Sequence, residues 1–222
     1  MYRKELYVFE GEKPRQAIIR NYTQSDFFEL IQIQAESFPP PYPSEQWWNQ
    51  EQLTNHVTLF PEGAICVEID EVLAGSMTAL IVSFDPSHPE HSWGEVTDHG
   101  YIRNHNPNGD TLYIVDLCIR PSHRKLGLGQ LMMQAMYELV VHKGLKRLLG
   151  GGRMPGYGRY ADTLTPEQYL EKIVSGDLKD PVISFLMRCG RTPVQAVTNY
   201  LEDEESRNCA ALMEWKNPFQ SQ

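Results

Sequence analysis

Between an extended apolar run, Leu112-Tyr113-Ile114-Val115-Asp116-Leu117-Cys118-Ile119, and an amphipathic stretch from Gln130 to Val141, the chain carries Arg124-Lys125-Leu126-Gly127-Leu128-Gly129. A strand that hands over to a helix through two glycines builds an anion site. The first N–H groups of the helix are unpaired, the positive end of its dipole faces the loop, and the glycines let a phosphate approach the backbone. The turn is therefore expected to hold a phosphorylated ligand. Spacing narrows the choice. A Walker loop needs G-x-x-x-x-G-K-[ST], and a dinucleotide fingerprint starting at Gly127 needs a third glycine where Met132 stands. Neither pattern is present, and R-x-x-G-x-G remains.

With 222 residues, 41% of them hydrophobic, the chain can bury one sizeable core, so a single domain over residues 1–222 is expected. A net charge of -9 argues against nucleic acid, which calls for a basic face, and mildly favours a cationic partner such as an amine. No apolar run approaches the roughly 20 residues that span a bilayer. The four cysteines, Cys66, Cys118, Cys189 and Cys209, are scattered, and Met1 to Glu10 lacks the apolar stretch of a signal peptide. Reduced thiols and a cytoplasmic location are the expectation. His88, His91, His99 and His105 crowd one polar segment, but their spacing fits no compact zinc pattern, so no metal is expected.

The order of elements follows from periodicity and punctuation. Gln16 to Arg20 reads as a strand, and Thr23-Gln24-Ser25-Asp26 as the cap of a helix through Leu30 and Ala35 that ends at Pro39. After Pro39-Pro40-Pro41-Tyr42-Pro43, Ser44 is expected to cap a second helix carrying Trp47, Trp48 and Leu53. Gly63 to Ile69 and Leu73 to Phe84 read as a strand pair. Residues 85–110 form a long excursion before the strand from Leu112. The helix after the glycines stops at Lys143-Gly144, Leu145 to Leu149 is a short strand, and residues 150–179 form a second excursion, opening with a loop from Gly150 to Tyr160. Within it Thr165-Pro166-Glu167-Gln168 signals a short helix, and Asp180-Pro181 starts another that stops at Gly190. Two strands, Pro193 to Tyr200 and Asn208 to Trp215, close the chain. Met132, Met133 and Met136 fall at helical spacing and read as core.

The R-x-x-G-x-G turn between strand and helix, with Asp116-Leu117-Cys118-Ile119-Arg120-Pro121 before it, resembles the pyrophosphate loop of the GNAT superfamily of acyl-CoA-dependent N-acyltransferases. Further stretches, among them Tyr101 to Pro107, Gly151 to Tyr157, Asp180 to Phe185 and Asn199 to Ser206, resemble the acetyltransferase-like domain found fused to nitrilase-type carbon–nitrogen hydrolases, here as a stand-alone module. The resemblance implies an α/β (α+β) fold, a mixed, mostly antiparallel sheet splayed between its fourth and fifth strands and flanked by helices. It implies acetyl-CoA as co-substrate. The backbone of Lys125, Leu126, Gly127, Leu128, Gly129 and Gln130 would cradle the pyrophosphate with Arg124 beside it, and Leu117, Cys118 and Ile119 would pair with the pantetheine amides.

A thioester is already activated, so such an enzyme positions an amine, removes its proton and stabilises an oxyanion. Asp116, beside the expected carbonyl site, is a candidate base; the same side chain would also suit the anchoring of a bulge or loop. In many family members a Tyr follows the Phe that aligns with Phe185 and acts as acid, but Leu186 stands there, and Arg191 replaces the aromatic that commonly follows Gly190. Tyr157 and Tyr200, with Tyr160, are the replacements, and Arg153 and Arg159 border the same cleft. Three functions remain open: N-acyl transfer from acetyl-CoA to a small primary amine; an acyl-CoA-binding or regulatory module that has lost its acid; and nucleotide binding unrelated to coenzyme A. The two excursions suit a partly covered pocket for a small metabolite, and equally the contacts of a homodimer.

Overall fold

The first element is one that the charged N-terminus conceals. A hairpin, β1 (Arg3–Glu10) and β2 (Lys13–Asn21), opens the chain and pairs in register from Arg3↔Arg20 to Glu10↔Lys13. Its outer strand is mostly exposed, so only Val8 is buried and no apolar alternation marks it. The computed structural model describes residues 1–87 and 89–220.

After the hairpin come helices α1 (Phe27–Ser37) and α2 (Gln50–Leu59), strands β3 (Ala64–Ile69) and β4 (Val72–Val82), a short helix α3 (Trp93–Thr97), and β5 (Thr111–Ile119). Then follow α4 (Leu128–His142), β6 (Arg147–Arg153), α5 (Pro166–Ser175), α6 (Pro181–Arg188), β7 (Thr192–Val197) and β8 (Ala210–Lys216). All eight strands form one sheet in the order β1-β2-β3-β4-β5-β6-β8-β7. With the hairpin counted, the expected fourth and fifth strands are β5 and β6. Theirs is the only parallel pairing among the described strands, and it runs only from Thr111↔Arg147 to Tyr113↔Leu149.

The splay follows from that short register. Beyond Tyr113, β5 stays paired to β4 as far as Gly75↔Ile119, while β6 departs with β8 as far as Arg153↔Ala210. A wedge opens between them, with the free backbone edge of β5 on one side. Helix α4 lies against the sheet with Met132, Met133, Met136 and Val140 buried, which accounts for the methionine spacing.

Three expectations need correction. Ser44 begins only a 3-10 turn, Ser44–Gln46, and the second helix starts after Asn49, whose side chain accepts from the Gln52 amide in a reciprocal capping box. Trp47 and Trp48 therefore sit in the connector. The segment Gly150-Gly151-Gly152-Arg153 is a strand rather than a loop, because β8 supplies a partner for each residue. Strand β7 ends at Val197, short of Tyr200. The caps at Thr165 and Asp180 are as expected, with Thr165 accepting from Gln168 and Asp180 from Val182 and Ile183. No helix among the described residues is long and apolar enough to cross a membrane.

Candidate active site

The loop before α4 is wound to face its amides outward. Lys125 and Gly127 hold φ of 70° and 77°, and the first bond of the helix runs from the Leu131 amide to the Gly127 carbonyl. The N–H groups of Leu128, Gly129 and Gln130 thus lie ahead of the first helical bond, and those of Lys125, Leu126 and Gly127 have no backbone acceptor among the described residues. No side chain caps this helix. A Cβ added at Gly127 would meet nothing within 4 Å, so the mouth is open as well as unpaired. A diphosphate fits this set of donors. Gly129 has a different duty: a Cβ there would stand 3.0 Å from the ring of Phe185 on α6, so this glycine lets α4 and α6 pack. Arg124 is exposed and lies along the surface, donating to the carbonyls of Ile119 and Ser37, both at 3.3 Å. Its charge stays at the loop while its fork ties the exit of β5 to the end of α1.

Asp116 lies on the free stretch of β5. The register with β4 slips between Thr78↔Asp116 and Ala79↔Ile114, so Val115 is an extra residue and the strand bulges immediately before the carboxylate. The indole N–H of Trp93 on α3 caps the carbonyl of Val115 at 2.9 Å. Oδ2 of Asp116 accepts from the Gln34 side-chain amide at 2.8 Å. Burial pushes the Asp116 carboxyl up to about 7, against the lowering effects of the Cys118 thiol, the Gln34 amide and the Leu117 N–H. A carboxylate so placed is half-ionised near neutrality, which suits a base.

At the apex of the wedge the three glycines of β6 show what each face carries. A Cβ on Gly151 would strike the ring of Tyr200, and one on Gly152 would strike Leu186 and Ile183 of α6, because successive residues of a strand point to opposite faces. Leu186 is buried, and the place where the family's acid is expected is filled by core. Tyr200 reaches the apex from the other face. Its hydroxyl accepts from the Gly151 N–H at 3.2 Å and lies 2.8 Å from the hydroxyl of Tyr113 on β5, so it bridges the two diverging strands. Burial pushes the Tyr200 phenol up to about 12. Arg191 is also buried here, donating to the carbonyls of Gly150 and Met213, with its Nε unpartnered. Burial lowers the Arg191 guanidinium to about 10.

The remaining candidates are distributed along the excursions. Tyr157 is buried, packs on Tyr169 with ring centroids 5.4 Å apart, and donates its hydroxyl proton to the Leu164 carbonyl. Arg153 forms a two-pronged pair with buried Asp203, both contacts at 2.7 Å, and covers the ring of Tyr42 at 4.9 Å. The half-buried Tyr42 phenol is raised by burial first and by the charge of Asp116 next. Arg159 is exposed. Among the described residues no group of His, Cys, Asp and Glu is arranged to hold a metal, and His88 lies outside them.

Sequence reasoning missed Gln34, Tyr42, His91 and Tyr113 as members of this site. For Gln34 a signal exists: it shares the buried face of α1 with Leu30, Ile33 and Ser37, at spacings that leave a polar amide facing the sheet.

A free strand edge opposite a diverging strand, an unpaired amide cluster at a helix mouth and a buried carboxylate on that strand suit an extended, diphosphate-bearing ligand. The chain belongs to the acetyltransferase (GNAT) family, which residues 27–153 match, and it is an N-acetyltransferase of that family. It is 53% identical over 216 residues, 97% of this chain and 96% of the relative, to a Bacillus subtilis (strain 168) protein named uncharacterized N-acetyltransferase YkwB. It is 35% identical over 204 residues to the probable hydrolase YhcX of the same organism, covering 91% of this chain but 39% of that protein. Among solved structures, the loading GNATL domain of CurA from Lyngbya majuscula superposes with a TM-score of 0.78 at 17% identity, covering 92% of this chain and 99% of that one. At that identity the likeness concerns the fold.

Proposed function

We propose that this chain transfers the acetyl group of acetyl-CoA to the primary amine of a small molecule. The observation that carries the reading is Asp116. A carboxylate with its pKa raised to about 7, set beside the bulge where β5 loses its neighbour, is matched to deprotonating an ammonium substrate at the point where the thioester carbonyl would lie. The amides of Lys125 to Gln130 hold the pyrophosphate, the free edge of Leu117 to Ile119 takes the pantetheine amides, and acetyl-CoA supplies an acyl carbon already open to attack. Tyr200 is the acid that reaches the departing sulfur. Tyr157, whose hydroxyl proton goes to Leu164, keeps a packing role.

The test is thiol release from acetyl-CoA across a panel of primary amines, with mass spectrometry of the acceptor. Saturable release with a gain of one acetyl group supports the reading. Absence of release with every amine, while calorimetry detects acetyl-CoA binding, favours the second reading, an acyl-CoA-binding module. Leu186, filling the expected acid's place, is the observation on that side. Preferential binding of ATP or NAD over coenzyme A would overturn both.

A further inference from the structure

Behind Tyr200 the hydrogen bonds continue. The Tyr113 hydroxyl lies 2.8 Å from that of Tyr200 and 2.7 Å from Nε2 of His91, and Nδ1 of His91 lies 2.8 Å from the Pro89 carbonyl. Tyr113 and Tyr200 are buried, while His91 is half-buried in the excursion before β5.

The direction of every bond in this chain follows from its ends. A carbonyl only accepts, so Nδ1 of His91 carries a proton. In the neutral ring Nε2 then accepts, and the donor is the Tyr113 hydroxyl. With its proton so used, Tyr113 accepts from Tyr200. The Tyr200 oxygen in turn accepts from the Gly151 N–H. Both hydroxyl protons therefore point toward His91, and the Tyr200 oxygen is left as an acceptor on the side of Gly151. An acid whose proton faces away cannot protonate a leaving group. Adding a proton to Nε2 reverses each bond in turn and leaves the Tyr200 proton free to enter the cleft.

We propose that Tyr200, Tyr113 and His91 form a proton relay that stores the proton lost by the attacking amine and returns it to the departing sulfur. The inference rests on the reading of Tyr200 as the acid of acetyl transfer. After Asp116 has taken one proton from the ammonium substrate and passed it to water, the neutral amine adds to the thioester carbonyl. The nitrogen of the adduct gives its surplus proton to the Tyr200 oxygen as the Tyr200 proton moves to Tyr113 and the Tyr113 proton to Nε2 of His91. The C–S bond then breaks with its electron pair going to sulfur. Sulfur takes the Tyr200 proton as the relay runs back, and His91 is neutral again. The relay gains and loses one proton per turnover.

The surroundings favour the neutral starting state. Burial lowers the His91 pKa from 6.5, against raising effects of the Pro89 carbonyl and the Glu95 charge on α3. The Phe84 ring meets the imidazole edge-on at 6.5 Å with Arg147 on that ring's face, and Arg191 lowers both tyrosines electrostatically.

Thiol release from acetyl-CoA with hydroxylamine, which is uncharged at neutral pH and does not need Asp116, isolates the relay. His91→Gln, Tyr113→Phe and Tyr200→Phe should each lower kcat about 100-fold, with KM for acetyl-CoA unchanged. The Tyr113→Phe/Tyr200→Phe pair should fall no further than either alone. Wild-type kcat in both His91→Gln and Tyr113→Phe, with loss confined to Tyr200→Phe, would overturn the relay and leave acetyl transfer standing. Should the wild-type protein release no thiol at all, acetyl transfer fails separately. Nitrogen-15 NMR of His91 then decides: a protonated Nδ1 with bare Nε2, its titration moved by Tyr200→Phe, is the expected result, and the opposite tautomer overturns the relay.

Discussion

The side-chain amide of Gln34 reaches 82 residues along the sequence to donate to Oδ2 of Asp116 at 2.8 Å. Helix α1 packs on β4 and β5, so this contact fastens the helix to the bulged stretch of strand from which the wedge opens. The amide is a neutral donor. It stabilises the ionised carboxylate without supplying the full charge that would hold its pKa low, and burial supplies the opposing force. The result is a carboxyl poised at about 7.

Replacing Asp116 by Asn should lower kcat/KM for an ammonium substrate by about 100-fold or more, since a positioned base contributes about that factor. The same variant has a stability signature. The folded pKa is raised above the unfolded one, so the Asp116 contribution is fully present below about 4 and is lost as pH rises through about 7. Asp116→Asn should therefore be more stable than wild type at pH 8, by an amount on the order of 2 to 4 kcal/mol. The difference should shrink toward zero near pH 4, and urea unfolding at both pH values measures it.

Gln34→Leu removes a donor and keeps the volume. The carboxylate loses one stabilising bond while its burial remains, so its pKa rises further and the acid limb of the kcat/KM profile moves to higher pH. Activity at pH 7 should drop about tenfold and recover substantially by pH 9, a recovery that damage to the fold would not produce. A profile parallel to wild type at all pH values would separate Gln34 from the base.

Much of the fold was legible because its signals are local. The caps at Thr165 and Asp180, the glycines before α4 and the buried methionines each act within one or two turns of chain. The hairpin strand β1 was not, because an edge strand with both faces largely wet carries no alternation to read. The Gly150 to Gly152 strand was hidden for the converse reason: three glycines resemble a loop until β8 supplies the ladder and Tyr200 and Leu186 occupy the missing side chains. At the site, Asp116 and the amide cluster follow from neighbouring residues. The bonds from Gln34, Tyr113 and His91 join segments far apart in sequence, and no spacing rule reaches them.

Asp203, in the connection between β7 and β8, should be an acid-labile anchor for Arg153 at the end of β6. Burial raises its carboxyl, but the two bonds and the charge of Arg153 outweigh that and hold it below the usual 3.8. Its contribution is present above the unfolded pKa and lost as pH falls through the folded one. Asp203→Ala leaves the Arg153 guanidinium with only the exposed Glu205 carboxylate, 3.1 Å away, and should cost about 2 kcal/mol at pH 7. Differential scanning calorimetry should show that penalty narrowing as pH falls below 3.8, and a penalty independent of pH would mean that the pair is not its source.

The two glycines of the anion loop should fail in different ways when each receives a methyl group. At Gly127 the added carbon meets nothing within 4 Å, but the backbone holds φ at 77°, so Gly127→Ala bears a conformational cost alone, about 1 to 2 kcal/mol. Coenzyme A affinity should fall with it, because relaxing that φ turns the neighbouring amides away from the mouth. At Gly129 the φ is helical and the obstacle is the Phe185 ring at 3.0 Å, so Gly129→Ala presses α6 away from α4. A smaller ring neighbour should relieve that pressure: Gly129→Ala/Phe185→Leu should be more stable than the sum of its single variants, whereas Gly127→Ala/Phe185→Leu should be additive. Denaturant unfolding of these variants, with calorimetric titration of coenzyme A, distinguishes the two glycines, and equal coupling to Phe185 at both positions would contradict the assignment of Gly127 to the ligand and Gly129 to helix packing.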